Sequence, residues 1–154
     1  MIDLDAFEIK ILRELQRDAS QTVAEIADKV GLSSSPCWRR IDRLEREGVI
    51  RRRVAVVDRR KVGFNAQVFA QIRLNAHGRA NLDEFSDAIR AFPEVLDAYL
   101  VMGTMDFMLR VVTRDIDAYE RFFFDKLSRL HGIQEITSTV AFSEIKSTEE
   151  LPFD

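Results

Sequence analysis

The sequence predicts an α+β chain in two parts: an N-terminal three-helix helix-turn-helix domain of winged-helix-like form, then a C-terminal βαββαβ ferredoxin-like domain. Three observations predict it. Apolar residues recur with the 3.6-residue helical period in three short segments before residue 47. A glycine stop and a Ser/Pro start separate the second and third segments by a tight turn, the spacing of a helix-turn-helix. Beyond residue 65 the order of apolar runs is strand, helix, strand, strand, helix, strand.

Leu4, Phe7, Ile11, Leu12 and Leu15 define the first helix, with Asp3 or Asp5 as its cap. Val23, Ile26, Ala27 and Val30 define the second, and Gly31 stops it. Ser33 is placed to cap the third helix, and Pro36 falls in its first turn, where the missing N–H is harmless. Cys37, Ile41 and Leu44 form the inward stripe of that helix. Ser35, Trp38, Arg39, Arg43 and Arg46 then point away from it, a basic and polar outer face suited to DNA. Trp38, about 100° from the stripe, is placed either to touch DNA or to pack on the first helix. Gly48 ends the helix, and the β-branched run Val49–Val57 reads as a strand. Arg51, Arg52 and Arg53 at its start touch phosphate like a wing, or keep an exposed edge soluble.

Residues 58–65 read as a linker between a domain of residues 1–57 and one of residues 66–154. Ala66–Asn75 reads as a strand, and Leu82, Phe85, Ile89 and Phe92 as a helix stopped by Pro93. Val95–Met102 and Met105–Thr113 read as strands joined through Gly103-Thr104. Tyr119, Phe122, Phe123, Leu127 and Leu130 mark another helix, and Ile133–Lys146 a final long strand. Such a sheet carries helices on one face. Val68, Ala70 and Ile72 or their alternates, with Val101, Leu109 and Val111, leave apolar strand surface for the other, so sheet-to-sheet dimerisation is expected.

The net charge of −3 is unevenly spread: within Arg39–Arg60 nine arginines face four acids. On the outer face of a helix-turn-helix, that asymmetry favours a nucleic-acid partner over a solvated surface. The single cysteine excludes an internal disulfide and fits a reducing cytoplasm. Lying on the inward stripe, Cys37 reads as a core residue rather than a redox switch. No apolar run is long enough to span a bilayer, and the first residues have no signal-peptide pattern. His77 and His131 have no neighbouring cysteine ligands, so no metal and no cofactor are expected.

Several stretches together resemble the Lrp/AsnC (leucine-responsive/asparagine regulator, feast/famine) family of transcription factors. They are Leu4–Leu12, GLSSSPCWRRIDRLEREGVI, Lys61-Val62-Gly63, GTMDFMLRV at Gly103–Val111 and ITSTVAFSEIK at Ile136–Lys146. The resemblance covers nearly the whole chain. Two departures are Glu8, where the family commonly has Asp, and Ser20, where many members have Arg. By matching positions, the resemblance implies that Ser34, Ser35, Pro36, Trp38, Arg39 and Arg43 face the major groove. It also implies a small-effector site, usually for an amino acid, at Tyr99, Met102, Gly103, Thr104 and Asp106 together with Ile136, Thr137, Ser138 and Thr139. Backbone N–H groups near Gly103-Thr104 and the three hydroxyls suit a carboxylate. Asp106 suits an ammonium, or serves only to orient its loop. The implied function is a sequence-specific regulator of amino-acid metabolism. It binds pseudo-palindromic double-stranded DNA as a homodimer or higher homo-oligomer and has no membrane partner.

Two other classes fit the architecture less well. Some tetrapyrrole-modifying decarboxylases look like the same two domains and use histidine and basic residues on the macrocycle. Here the two histidines are far apart in sequence, and no nucleophile–base set or phosphate loop accompanies them, so the chain is not expected to be an enzyme. A module that senses an effector but has lost DNA affinity is disfavoured by the intact arginine face.

Overall fold

The computed structural model describes residues 2–80 and 82–153; the side chains of His77 and Arg79 are outside the description, so the tetrapyrrole expectation at His77 is too. Side chains begin the first two helices. Asp5 accepts hydrogen bonds from the Phe7 and Glu8 amides, each at 2.8 Å, at the start of α1 (Ala6–Arg17). Glu8 answers by accepting from the Asp5 amide at 3.0 Å, so two amides that the helix leaves orphaned are satisfied reciprocally. Thr22 and Glu25 repeat the arrangement at α2 (Val23–Val30), which Gly31 ends in the left-handed conformation at φ 76°. α3 (Ser34–Arg46) starts at Ser33, as expected, but the Ser33 side chain makes no capping bond. The three helices close over Ile11, Leu12, Leu15, Ile26, Ala27, Val30, Cys37, Ile41 and Leu44.

The chain divides into two units. One comprises the described residues of Met1–Val56 and of Lys146–Asp154, the other Val57–Ile145. The sequence expectation kept residues 66–154 together. Instead, residues 146–153 return to the first unit, where Phe153 packs on the helical core. The chain therefore passes between the units twice.

The second unit runs β1 (Ala66–Leu74), α4 (Ala76–Ala80), α5 (Leu82–Arg90), β2 (Val95–Leu100), β3 (Phe107–Thr113), α6 (Ile116–Asp125), a 3-10 turn (Leu127–Arg129) and β4 (Ile133–Val140). Its four strands lie in the order β2-β3-β1-β4, all neighbours antiparallel, which is the ferredoxin-like arrangement. One face is sealed by Phe85, Ile89, Tyr119, Phe122 and Leu127.

Four expectations need correction. Val68, Ala70, Ile72, Leu109 and Val111 do not form an open apolar face; all are fully buried beneath the helices. The open face carries their alternates, among them Gln67, Phe69, Gln71, Arg73, Met108 and Arg110. The run Val49–Val57 forms no strand, and residues 51–58 are exposed, because β-branched residues need a paired neighbour as well as a local preference. The last strand stops at Val140, not Lys146: β1 begins at Ala66, and the Ala141 amide bonding to Gln67 uses the last carbonyl near that end. The β2–β3 connection is not a two-residue turn but Val101–Asp106, closed by the Val101 amide on the Asp106 carbonyl at 2.9 Å. No described helix is long and apolar enough to cross a membrane.

Candidate nucleic-acid interface and effector turn

The arginines of α3 have separated roles. Arg40 lies 3.2 Å from Asp5 and stands 5.5 Å over the Phe7 ring, so it ties α3 to the start of α1. Arg43, expected at the major groove, is instead clamped. Its guanidinium donates to Glu8 at 2.8 Å and to Glu47 at 2.9 Å. Glu8 is buried, and its two oxygens serve the Asp5 amide and Arg43. An Arg stem is long enough to turn back from the outer face to the neighbouring helix, which removes Arg43 as a free base reader. Glu47 and then Glu8 hold the Arg43 guanidinium above its usual pKa. Arg46 pairs with Asp42 at 2.9 Å.

Ser34, Ser35, Trp38 and Arg39 remain exposed along the outer face, and Pro36 is half-buried between them. Trp38 keeps 55% of its surface exposed, so it does not pack into the core. Among the described residues, Arg39, Arg51 and Arg52 have no hydrogen-bond or ion-pair partner, whereas Arg53 is held by Glu45 at 2.7 Å. Arg51, Arg52 and Arg53 thus differ in setting: Arg51 and Arg52 are free to meet phosphate, and Arg53 is tied to α3. Cys37 is fully buried, and burial pushes its thiol pKa up, which keeps it protonated and inert.

In the second unit the Val101–Asp106 turn is fastened to β1. Arg73 donates to the Thr104 carbonyl at 2.9 Å, and the Asp106 carboxylate accepts from the Leu74 amide at 2.7 Å. The Asp106 amide also donates to the Ile72 carbonyl at 2.8 Å. Asp106 therefore orients its loop, whatever else it holds. It extends the β1–β3 side of the sheet by one step beyond the last pair, Ile72 with Phe107.

Strand register sorts the remaining effector candidates. Ile136 pairs with Ile72 and Ser138 with Ala70, so both face the helices; Ser138 shares a 2.5 Å hydrogen bond with the Tyr119 hydroxyl. Thr137 and Thr139 pair with Gln71 and Phe69 and face the open side. The three hydroxyls do not converge. Tyr99, Met108, Gln71 and Thr137 form one row across all four strands. At roughly 4.8 Å per strand, Tyr99 and Thr137 stand about 14 Å apart, too far for one small ligand within a protomer. Met102, fully exposed, and Gly103 lie in the same turn as Thr104 and Asp106. Ile136 lies on the opposite flank of Ile72 from Asp106.

The sequence reading missed a cavity of about 120 Å³ lined by Gly78, Glu84, Phe85, Ala88, Arg129, Leu130 and His131. Gly78, one of its lining residues, crosses the backbone of Gly132: a Cβ on Gly78 would lie 2.5 Å from the Gly132 carbonyl oxygen. The available signal was a pair of His-Gly dipeptides, His77-Gly78 and His131-Gly132.

Comparison with known proteins gives this geometry its context. Residues 4–51 match the family model described as winged helix-turn-helix DNA-binding, and residues 67–151 the model described as Lrp/AsnC ligand binding domain. The chain is 38% identical to the glutamate uptake regulatory protein of Zymomonas mobilis over 97% of this chain and 90% of that protein. It is 33% identical to the transcriptional regulator AzlB of Bacillus subtilis, over 99% and 98%. The crystal structure of an AsnC family transcriptional regulator from Agrobacterium tumefaciens superposes with a TM-score of 0.92 at 45% identity, covering 97% of each chain. A transcriptional regulator from Neisseria meningitidis, solved as a complex with L-Met, superposes equally well at 34% identity and the same coverage. With both halves matched in order and relatives aligned nearly end to end, the chain belongs to the Lrp/AsnC family of transcriptional regulators.

Proposed function

We infer that the chain reads a pseudo-palindromic DNA site through α3 and changes its DNA affinity or assembly when a free amino acid binds the second unit. The observation that carries the DNA reading is the outer face of α3. Ser34, Ser35, Trp38 and Arg39 are exposed there on a helix whose other arginines are already engaged. Arg39 suits bidentate pairing with guanine, Ser34 and Ser35 suit several bases, and Pro36 or Trp38 suits a thymine methyl. Arg51 and Arg52 supply sequence-independent phosphate contact.

The effector reading is supported by the L-Met complex of the Neisseria relative and by the fastened turn of this chain. Met102, Gly103, Thr104 and Asp106 make one group at the β2–β3 connection, with Tyr99 nearby at the end of β2, while Ile136 and Thr137 lie across β1 on β4. Ile136, Thr137 and Thr139, on β4, join that group only if a second protomer brings them there. The open sheet face supports a homodimer: Phe69 and Met108 lie on it, and the buried side-chain oxygen of Gln67 has no hydrogen-bond partner among the described residues. The relatives described above are named as regulators, and nothing favours a decarboxylase. These properties fit a cytoplasmic protein.

A thermal-shift screen of the twenty amino acids tests the effector reading, since a ligand that binds only the native state raises the melting temperature by mass action. The expected result is one or a few related hits that also shift DNA affinity. Hits without an effect on DNA, or no hit at all, would overturn it. Asp106→Asn separates the two roles of that residue: the amide oxygen still accepts from the Leu74 amide, while the charge is gone. Loss of the thermal shift with an unchanged basal melting temperature is expected; an unchanged shift removes Asp106 from the site.

A further inference from the structure

The first unit is not made from one continuous stretch of chain. Three residues of α1 grip the segment that follows β4, two of them through its backbone. Arg13 donates to the Phe153 carbonyl at 2.6 Å. Gln16 makes a two-way pair with Leu151, its oxygen accepting from the Leu151 amide at 2.7 Å and its nitrogen donating to the Leu151 carbonyl at 3.3 Å. Arg17 lies 3.8 Å from Glu150. Phe153 then packs on the helical core. A side-chain amide that both donates to and accepts from one residue substitutes for a strand neighbour, so this is a built contact for an extended segment.

The other grip on α1 is α3. Asp5, Phe7 and Glu8, at the opposite end of the same helix, hold Arg40 and Arg43. The helix that the tail braces is thus the helix against which the recognition helix is set. We propose that residues 150–153 form a brace that positions α3 for base reading, with Arg13, Gln16 and Phe153 as positioning residues remote from the DNA. The brace acts by fixing α1, and α1 passes that fixity to α3 through Glu8–Arg43 and Asp5–Arg40. None of the three residues lies on the outer face of α3. Their removal changes which sequence is preferred rather than how many phosphates are met. The brace is the continuation of the chain beyond β4, so the chain meets α1 a second time, through a segment apart from residues 51–65 that grips α1 by hydrogen bonds and packing.

This inference rests on the DNA-binding reading of the first unit. The test uses the full chain and a duplex that it selects from a random pool, beside a scrambled duplex of equal length. Phe153→Ala, Arg13→Ala and the milder Gln16→Ala are compared with the parent well below their melting temperatures. Binding is measured over a range of salt concentration, and amide hydrogen exchange is followed by residue. The ratio of selected to scrambled affinity is expected to fall about tenfold in Phe153→Ala, with the salt dependence unchanged. Amides of α1 should exchange about tenfold faster while those of β1 and β3 stay as in the parent. Phe153→Leu, which keeps an apolar anchor, should restore both. An unchanged ratio, an unchanged α1, or a loss shared equally by both duplexes would overturn the proposal. A parent that prefers no duplex would refute the DNA-binding reading itself, and the brace's role in base reading with it.

Discussion

Arg39 and Arg43 are four residues apart on one helix, and their chemistry divides at the partner each finds. Arg39 has none among the described residues, so Arg39→Ala should leave the melting temperature unchanged. It should cost ~1–3 kcal/mol at one base position if the guanidinium reads a base. Arg43→Ala strips the buried Glu8 of its cation and cuts one of the two ties between α1 and α3, so the melting temperature should fall and the preference for a selected over a scrambled duplex should weaken with it. A thermal melt and a binding profile on the two variants separate these roles; equal behaviour would contradict the assignment. Sequence periodicity gave both arginines the same outward direction, and correctly so. What it could not register is the reach of a long side chain to Glu8, 35 residues away in sequence. The same blindness hid Asp106. Its residue type was legible as a turn-former, but the Leu74 amide it serves is set by strand register.

At the scale of elements, caps and crossings decide stability. Burial is the largest single influence on Asp5 and raises its pKa, but the Glu8 amide, Arg40 and the Phe7 amide together outweigh it and hold the pKa below the ordinary 3.8. Hydrogen bonds from Ser20 hold Asp18 below 3.8, and those from Thr22 hold Glu25 below 4.5. A carboxylate with a depressed folded pKa stabilises the fold above its unfolded value and loses that contribution as pH falls through the folded one. The helical unit should therefore weaken below about pH 4, seen as loss of α1 and α2 amide protection. Asp5→Asn should make that loss shallower. In the second unit, Gly78→Ala would push a methyl into the Gly132 backbone and should cost ~1–3 kcal/mol, read by denaturant unfolding. Most elements were legible because their patterns are strongly periodic: α1, α2, α3, α5, β1 and β3 fall where the apolar spacing puts them. The failures share a cause. Val49–Val57 and the stretch beyond Val140 have strand-like residues but no neighbour to pair with, and pairing is a property of the fold.

For the whole molecule, the open sheet face and the double passage of the chain matter most. If the proposed homodimer forms through the open face, Phe69→Arg should yield a smaller species by sedimentation while circular dichroism stays that of the parent; an unchanged mass would remove that face as the contact between copies. The double passage bears on how such a protein can be cut and rejoined. A gene fusion that takes only residues 1–57, the obvious piece to graft onto a foreign sensor, leaves the partner segment of Arg13 and Gln16 behind. A protease that nicks the exposed stretch at residues 51–58 would likewise leave the helical fragment held to the tail by the non-covalent grip of Arg13, Gln16 and the helical core on residues 151–153. Modular exchange, the easiest route by which a DNA-reading piece meets a new sensor, is therefore closed to a single crossover in this chain and needs two.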